Sequence, residues 1–270
     1  MGATYWKRGK CKTQKEKPES RLNDGGVRGM CILTQNKGLL SAPGLARLFN
    51  ALAPQSCLLC ASTSRHAPVC EACTADLPKH ELPACPRCAQ PTPAGELCGQ
   101  CLAHPPHYDS TRAAFLYDFP LDKLVQALKY AHRLAIADYL GQQMACTADG
   151  ICADLIIPLP LHLIRLRERG FNQALELARP ISRSHNLQID TTSCVRLRHT
   201  AAQATLPWRD RKENIRNAFY CSTDLTGKRI LLVDDVMTTG SSLNECARTL
   251  KLHGASAVTV LVAARALAKR

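Results

Sequence analysis

The sequence predicts an α/β protein, a parallel sheet flanked by helices and preceded by a small cysteine-rich domain. Three observations carry this. LIIPLP at 155–160, ILLV at 230–233 and ASAVTVLVAARA at 255–266 are apolar runs of strand length, as expected of strands buried on both faces. Segments with helical apolar spacing separate them, the pattern of crossover connections in a parallel sheet. Finally, eight of the fifteen cysteines fall in four CxxC pairs between residues 57 and 101.

At 270 residues the chain can hold one full α/β domain and something smaller. The net charge of +13 is unevenly spread. Residues 1–50 carry ten Lys/Arg against three Asp/Glu, residues 51–150 seven against nine, and residues 151–270 eighteen against ten. A basic C-terminal part suits phosphate-rich ligands or nucleic acid, although charge alone describes a solvated basic surface equally well. No apolar run is long enough to span a bilayer. The first thirty residues lack an apolar leader core, and Trp6 stands where a myristoylation signal needs Ser or Thr. A cytoplasmic protein is expected.

Residues 1–50 are basic, punctuated by Gly, Pro and Ser, and poor in aliphatic residues, so they are expected to be disordered. They read either as a nucleic-acid-binding arm or as an extension upstream of a functional start at Met30 or later. PGLARLFNALAP at 43–54 has the spacing of one short amphipathic helix.

The second region, 51–106, holds Cys57–Cys60, Cys70–Cys73, Cys85–Cys88 and Cys98–Cys101, with 9, 11 and 9 residues between successive pairs. Each half repeats CxxC-x₉-CxxC, which predicts two similar zinc ribbons in series. A CxxC knuckle presents two thiolates to one tetrahedral Zn²⁺, so eight ligands suffice for two structural ions with no open coordination position. Sequential and interleaved pairings are both compatible with the spacing. A disulfide framework is the bland alternative, disfavoured without an export signal. So small a segment has too little core to fold without its metal. The nearby His66, His80, His104 and His107 read as surface residues. The other seven cysteines, Cys11, Cys31, Cys146, Cys152, Cys194, Cys221 and Cys246, show no pairing pattern and read as buried or incidental thiols.

The third region, 107–270, opens with TRAAFLYDF, a strand, and PLDKLVQALKYAHRLAIADYLGQQMA, one or two helices. Lys129 and Tyr130 read there as a surface lysine beside a packed aromatic. After LIIPLP come His162, Arg165, Arg167 and Arg169, a basic loop at a strand's carboxyl end, where open α/β sheets bind ligands. Three arginines before a helix fit a pyrophosphate. A polar stretch with Arg198, Thr200, Gln203, Arg209, Arg211 and Asn214 then reads as a flap over a polyphosphate.

The most specific signal is ILLVDDVMTTGSSL at 230–243: a strand, the acidic pair Asp234 and Asp235, spacers Val236 and Met237, then Thr238, Thr239, Gly240, Ser241 and Ser242 before a helix ending near Gly254. Backbone N–H groups of such a turn and a helix N-terminus cradle a phosphate. Carboxylates beside a phosphate are unfavourable unless they accept hydrogen bonds from sugar hydroxyls. The structural alternative, hydroxyls that only cap a helix, needs no acidic pair. No Gly-Lys-Ser/Thr follows, so this is not a Walker A loop. The stretch resembles the phosphoribosyl pyrophosphate (PRPP) motif of type I phosphoribosyltransferases at every position. Both carboxylates, at a strand end facing ligand, are expected to contribute little to the core.

Together with LKY, PLPLHLIRLRERGFNQALELA, the R-x-R-x-T-x-x-Q-x-x-L run from Arg196 to Leu206 and R-x-x-N-x-x-x-AF from Arg211 to Phe219, these motifs make residues 55–266 resemble the ComF family (competence protein ComFC, also GntX). The resemblance implies a double zinc ribbon followed by a type I phosphoribosyltransferase-like domain. It implies two structural Zn²⁺, PRPP with Mg²⁺, and a role in DNA uptake and natural transformation with single-stranded DNA bound inside the cell, in contact with the uptake machinery. A phosphoribosyltransferase active in nucleotide or base salvage is the alternative. Aromatic residues at 5% are thin for a base-stacking platform, and no acceptor-base pocket is legible.

Overall fold

The computed structural model describes residues 55–64, 67–198 and 215–267. The N-terminal extension, the helical spacing at 43–54, His66, and Thr200, Gln203, Arg209, Arg211 and Asn214 of the flap lie outside them. Everything described belongs to one compact unit.

In the cysteine region β1 (Gln55–Ser56) and β2 (Thr63–Ser64) pair antiparallel, and a four-stranded parallel sheet follows in the order β3-β8-β7-β4, with β3 at Ser110–Leu116, β4 at Leu155–Pro158, β7 at Arg229–Met237 and β8 at Ala257–Arg265. The central strands carry almost no polar residues because both faces are covered. On β7, Ile230 and Leu232 enter one core while Leu231 and Val233 enter the other. The first core holds the Leu243, Cys246, Ala247, Leu250 stripe of α7, Ser241–Leu252. The second holds α3 (Leu121–Tyr130), α4 (Leu134–Thr147) and α6 (Gln173–His185). The helical run after β3 is thus two helices, broken at His132, whose φ is 52°. Gly141 lets α4 approach α6 closely: a Cβ there would stand 2.7 Å from the Leu177 carbonyl oxygen and from Pro180.

The acidic strand is longer than its apolar run. β7 continues through Asp234, paired with Val262, to Met237, paired with Arg265, so the carboxylates lie within its last residues. Residues 163–169, expected as a loop, form a short helix α5 (Leu163–Arg169). Asymmetric capping explains it: the His162 ring accepts from the Ile164 N–H, and Gly170 closes the C-terminus at φ 72°. Its leucines stay exposed, so no apolar stripe signalled a helix. Between α6 and β7, β5 (Cys194–Arg196) and β6 (Phe219–Cys221) pair as a separate antiparallel ribbon.

The cysteine region is built into the sheet's edge. The Leu116 N–H donates to the Pro78 carbonyl, His80 N–H to Ala114, and Thr111 N–H to Pro86, covering the open side of β3. Of the unpatterned cysteines, Cys194, Cys221 and Cys246 are buried thiols as expected, whereas Cys146 is disulfide-bonded.

Candidate functional site: an acidic pair, a phosphate loop and two cysteine quartets

The pairing of the knuckles is sequential. The sulfurs of Cys57, Cys60, Cys70 and Cys73 lie within 4.8 Å of one another, as do those of Cys85, Cys88, Cys98 and Cys101. This is the spacing four thiolates adopt around one tetrahedral Zn²⁺ with ~2.3 Å bonds. Backbone N–H groups prepare the sulfurs: Cys57 Sγ accepts from Leu59 at 3.5 Å and Cys70 at 3.4 Å. Burial pushes the Cys57 thiol up, but these N–H groups outweigh it and bring it down to about 6; Cys85 falls to about 7 in the same way. Neighbouring thiols push Cys73 up, and burial with the same crowding raises Cys101. A divalent cation resolves that repulsion, so the donor sets fit zinc. Short helices α1 (Glu71–Ala75) and α2 (Gly99–Ala103) begin directly after the third ligand of each quartet. His104 and His107 are exposed as expected, while the half-buried His80 bonds the Ala89 carbonyl.

At the carboxyl end of β7, Asp235 is buried and pairs with Lys129 of α3, Nζ to Oδ2 at 3.0 Å. Both readings made from sequence here need correction. Lys129 is not a free surface lysine, and Tyr130, 72% exposed, is not the packed partner. Asp235 is not peripheral to the fold either, since it neutralises a largely buried ammonium. Asp234 is half-buried, with Oδ1 accepting from the Asp235 N–H at 2.8 Å. Burial, then the Asp235 charge beside it, push its carboxyl up to about 7 against the opposing pull of that N–H, Lys129 and Arg196.

Cations converge on this pair from two other elements. Arg196 of β5 stacks over Phe219 at 5.6 Å and feels both Asp234 and Arg165. Arg169 lies near enough to Lys129 to oppose its charge. Arg165 and Arg169 share one face of α5 four residues apart, held by Glu168 at 3.0 Å and Gln173 at 2.9 Å. Arg167 is exposed, two residues out of phase. Arg198 is exposed and donates to the Arg216 carbonyl.

The turn after β7 is locked. Gly240 is the N-cap of α7 at φ 76°, and a Cβ there would stand 2.6 Å from Met237 Cε and 3.2 Å from the Tyr108 hydroxyl. The cap position therefore has no side chain, and the hydroxyls do not fill it. Thr239 and Ser241 bond each other at 2.9 Å, and Thr239 Oγ1 accepts a longer bond from the Ser241 N–H at 3.3 Å. The first N–H groups of a helix have no intrahelical acceptor, which leaves an anion-favouring end. The spacers are structural: Val236 packs into one core and Met237 into the other. Thr238 is exposed, and Ser242 is half-buried in the first turn of α7. Beside the loop opens a cavity of about 540 Å³ lined by Thr239, Ser241, Pro106, Tyr108, Arg216 and Arg248 among others.

Residues 48–102 match the double zinc ribbon domain, and residues 158–270 the phosphoribosyl transferase domain. The DNA utilization protein YhgH of Escherichia coli is 35% identical over 224 residues, covering 79% of this chain and 98% of that protein. The chain belongs to the ComF family. Two other members are Competence protein F of Haemophilus influenzae, 34% identical over 63% of this chain and 78% of that protein, and Competence protein ComFC of Bacillus subtilis, 25% identical over 70% and 80%. As in the ComF double ribbon, the two Cys₄ quartets are structural zinc sites. Among the described residues no helix is long and apolar enough to cross a membrane.

Lys129, Arg196, Tyr108 and Arg265 are the site residues that sequence reasoning did not assign. Lys129 and Arg196 stood inside the quoted LKY and R-x-R segments, yet nothing local says that either meets an aspartate.

Proposed function

We propose that this ComF-family chain binds PRPP and acts in DNA uptake, with single-stranded DNA bound on the same basic face. The observation that carries the reading is the acidic pair at the end of β7, with Lys129 on Asp235, arginines of α5 and β5 around Asp234, and the Gly240 turn next in sequence. Asp234 and Asp235 accept hydrogen bonds from the ribose hydroxyls. The 5′-phosphate lies on the backbone of Thr238, Thr239, Gly240, Ser241 and Ser242, with Val236 and Met237 fixing the strand beneath. The pyrophosphate faces Arg165 and Arg169, with His162, Arg167 and Arg198 as further candidates; Arg209, the remaining candidate from the sequence, lies outside the described residues. Mg²⁺ bound with PRPP would supply countercharge to the pyrophosphate. If the anomeric bond breaks here, this chain's part is positioning and charge stabilisation of an oxocarbenium-like state.

The names of the relatives, DNA utilization and competence proteins, support the DNA role. So does the surplus of Lys/Arg in residues 151–270. The cavity of about 540 Å³ beside the loop, lined by Arg216 and Arg248 among others, offers room for more than one phosphate. On this reading the protein works in the cytoplasm, beside the uptake machinery. Calorimetry of PRPP–Mg²⁺, repeated with single-stranded DNA, tests the reading: PRPP should bind and the two should compete. The DNA affinity should fall with salt at a log–log slope of about −3 if roughly four phosphates are contacted. Failure to bind PRPP removes the ligand assignment. DNA binding lost with a chain starting near Gln55, or indifferent to PRPP, moves DNA off this face. Pyrophosphate release with any base would establish a salvage phosphoribosyltransferase instead.

A further inference from the structure

Arg265, the last residue of β8, is 4% exposed, and all four of its hydrogen bonds among the described residues end on backbone carbonyl oxygens. Nε donates to Cys88 at 2.7 Å. Nη1 donates to Met237 at 2.8 Å, to Ala266 at 2.7 Å and, in a very short contact, to Thr238. One rigid guanidinium fork therefore joins a knuckle of the second zinc site to the two residues that open the phosphate loop. Around it, the Ala266 N–H donates to the Met237 carbonyl and Gln90 Nε2 to the Ala266 carbonyl. Tyr108, buried against the same quartet, places its hydroxyl beside Gly240. Among the described residues no carboxylate accepts from Arg265. Cys88, Tyr108 and Cys101 are, among the described residues, the groups whose negative charge favours its cation. Four thiolates on one Zn²⁺ keep a net negative charge, so the loaded site is the countercharge that a buried guanidinium requires.

We propose that Arg265 is a positioning residue that sets the phosphate loop from the second zinc site, so that the order of residues 238–242 depends on zinc at Cys85, Cys88, Cys98 and Cys101 and not on zinc at the first quartet. The importance of that order for PRPP rests on the function proposed above; the coupling itself does not. Arg265→Lys keeps the charge but loses the fork, and one ammonium cannot span carbonyl groups on two segments in the same geometry.

The test uses the full chain, with zinc measured in every sample, hydrogen exchange followed at 238–242, and PRPP–Mg²⁺ affinity measured by calorimetry. Arg265→Lys should keep two zinc ions and a cooperative unfolding transition. Loop amides should exchange faster while β7 and β8 stay protected, and PRPP affinity should fall roughly tenfold to a hundredfold, the equivalent of one or two charge-assisted hydrogen bonds. Cys60→Ser with Cys73→Ser should lose one zinc and leave loop exchange unchanged. Unchanged loop exchange in zinc-loaded Arg265→Lys overturns the proposal, as does loosening that occurs only in step with β7 and β8. If that variant fails to fold, the wild-type chain under chelation decides: loop amides exchanging ahead of the strands support the coupling, and simultaneous exchange refutes it. A wild-type chain that does not bind PRPP would refute the ligand reading while the exchange result still stands.

Discussion

Cys60 and Cys88 are equivalent residues in two copies of one knuckle, yet Cys60 is exposed and Cys88 is buried. Locally the copies agree closely. Ala61 and Ala89, one residue on, are both left-handed, at φ 60° and 55°, and donate to the Cys57 and Cys85 carbonyls at 2.9 Å each. Ser56 pairs with Thr63, and Ala84 with Pro91. Their surroundings differ. The first quartet shares a core with α3 and α4, where the Tyr139 hydroxyl donates to Thr74 at 2.8 Å. The second shares a core with Met237 and Leu243 and holds Arg265. Thus the first ribbon backs the helices that deliver Lys129 to Asp235, and the second backs the phosphate loop. Equal spacing produces equal knuckles, and packing decides what each supports.

The largest expected effect separates the two ribbons directly. Cys88→Ser with Cys101→Ser should cause the larger loss of Tm and loosen residues 238–242 ahead of β7 and β8, because structural zinc contributes on the order of 10 kcal/mol to folding a small ribbon and this one is continuous with the main core. Cys60→Ser with Cys73→Ser should leave a folded chain with one zinc and a lowered Tm. Thermal unfolding and metal analysis of both variants check this, and equal losses would break the comparison.

The next effect lies at the end backed by the first ribbon. Asp235→Asn strands the Lys129 ammonium and should destabilise by about 2–4 kcal/mol, toward the lower end because neither partner is fully buried. Asp234→Asn removes an unfavourable charge and should be neutral or stabilising. Denaturant titration of the two single variants distinguishes them; matching values would mean the Lys129 pair contributes nothing. Both variants should weaken PRPP, together by about 3–6 kcal/mol.

At the end backed by the second ribbon, Gly240→Ala forces a Cβ against Met237 in a left-handed backbone. A cost of about 1–3 kcal/mol is expected, with a loss of PRPP affinity that exceeds it in consequence. A variant of wild-type stability and affinity would show that the turn is not locked.

Much of this was legible because the signals are local. CxxC spacing, doubly apolar strands and DDVMTTGSS act over a few residues, and the fold and both quartets followed from them. The order of the knuckles did not, since either pairing satisfies the spacing and only the packed chain selects one. Contacts between distant segments were equally silent. Arg265 and Cys88 are 177 residues apart, and an arginine at the end of a strand looks like any solvated strand end. Lys129 sits on a helix whose apolar face predicted burial for its leucines but could not say that its polar side faces Asp235. The helix at 163–169 escaped because caps rather than an apolar stripe hold it.

The smallest expected effect is on pH dependence, and it sets stability against binding within one residue. Asp234 has its carboxyl raised from 3.8 to about 7 in the folded chain. Between those values the native state holds a proton that the unfolded chain has released. The native state is then the one favoured by acid, and this contribution to stability is complete below about pH 4 and lost as pH rises through about 7. Sugar hydroxyls, however, need the ionised carboxylate as acceptor. PRPP affinity should therefore rise over the pH range in which the free protein loses stability. Asp234→Asn should flatten both slopes, and subtracting its profile removes the ligand's own titration. Calorimetry and denaturant unfolding of both proteins from about pH 5.5 to 8 measure the two slopes. Parallel profiles for wild type and variant would show that Asp234 is already ionised at pH 5.5, and that Lys129 and Arg196 compensate its charge more fully than its burial and its neighbour oppose it.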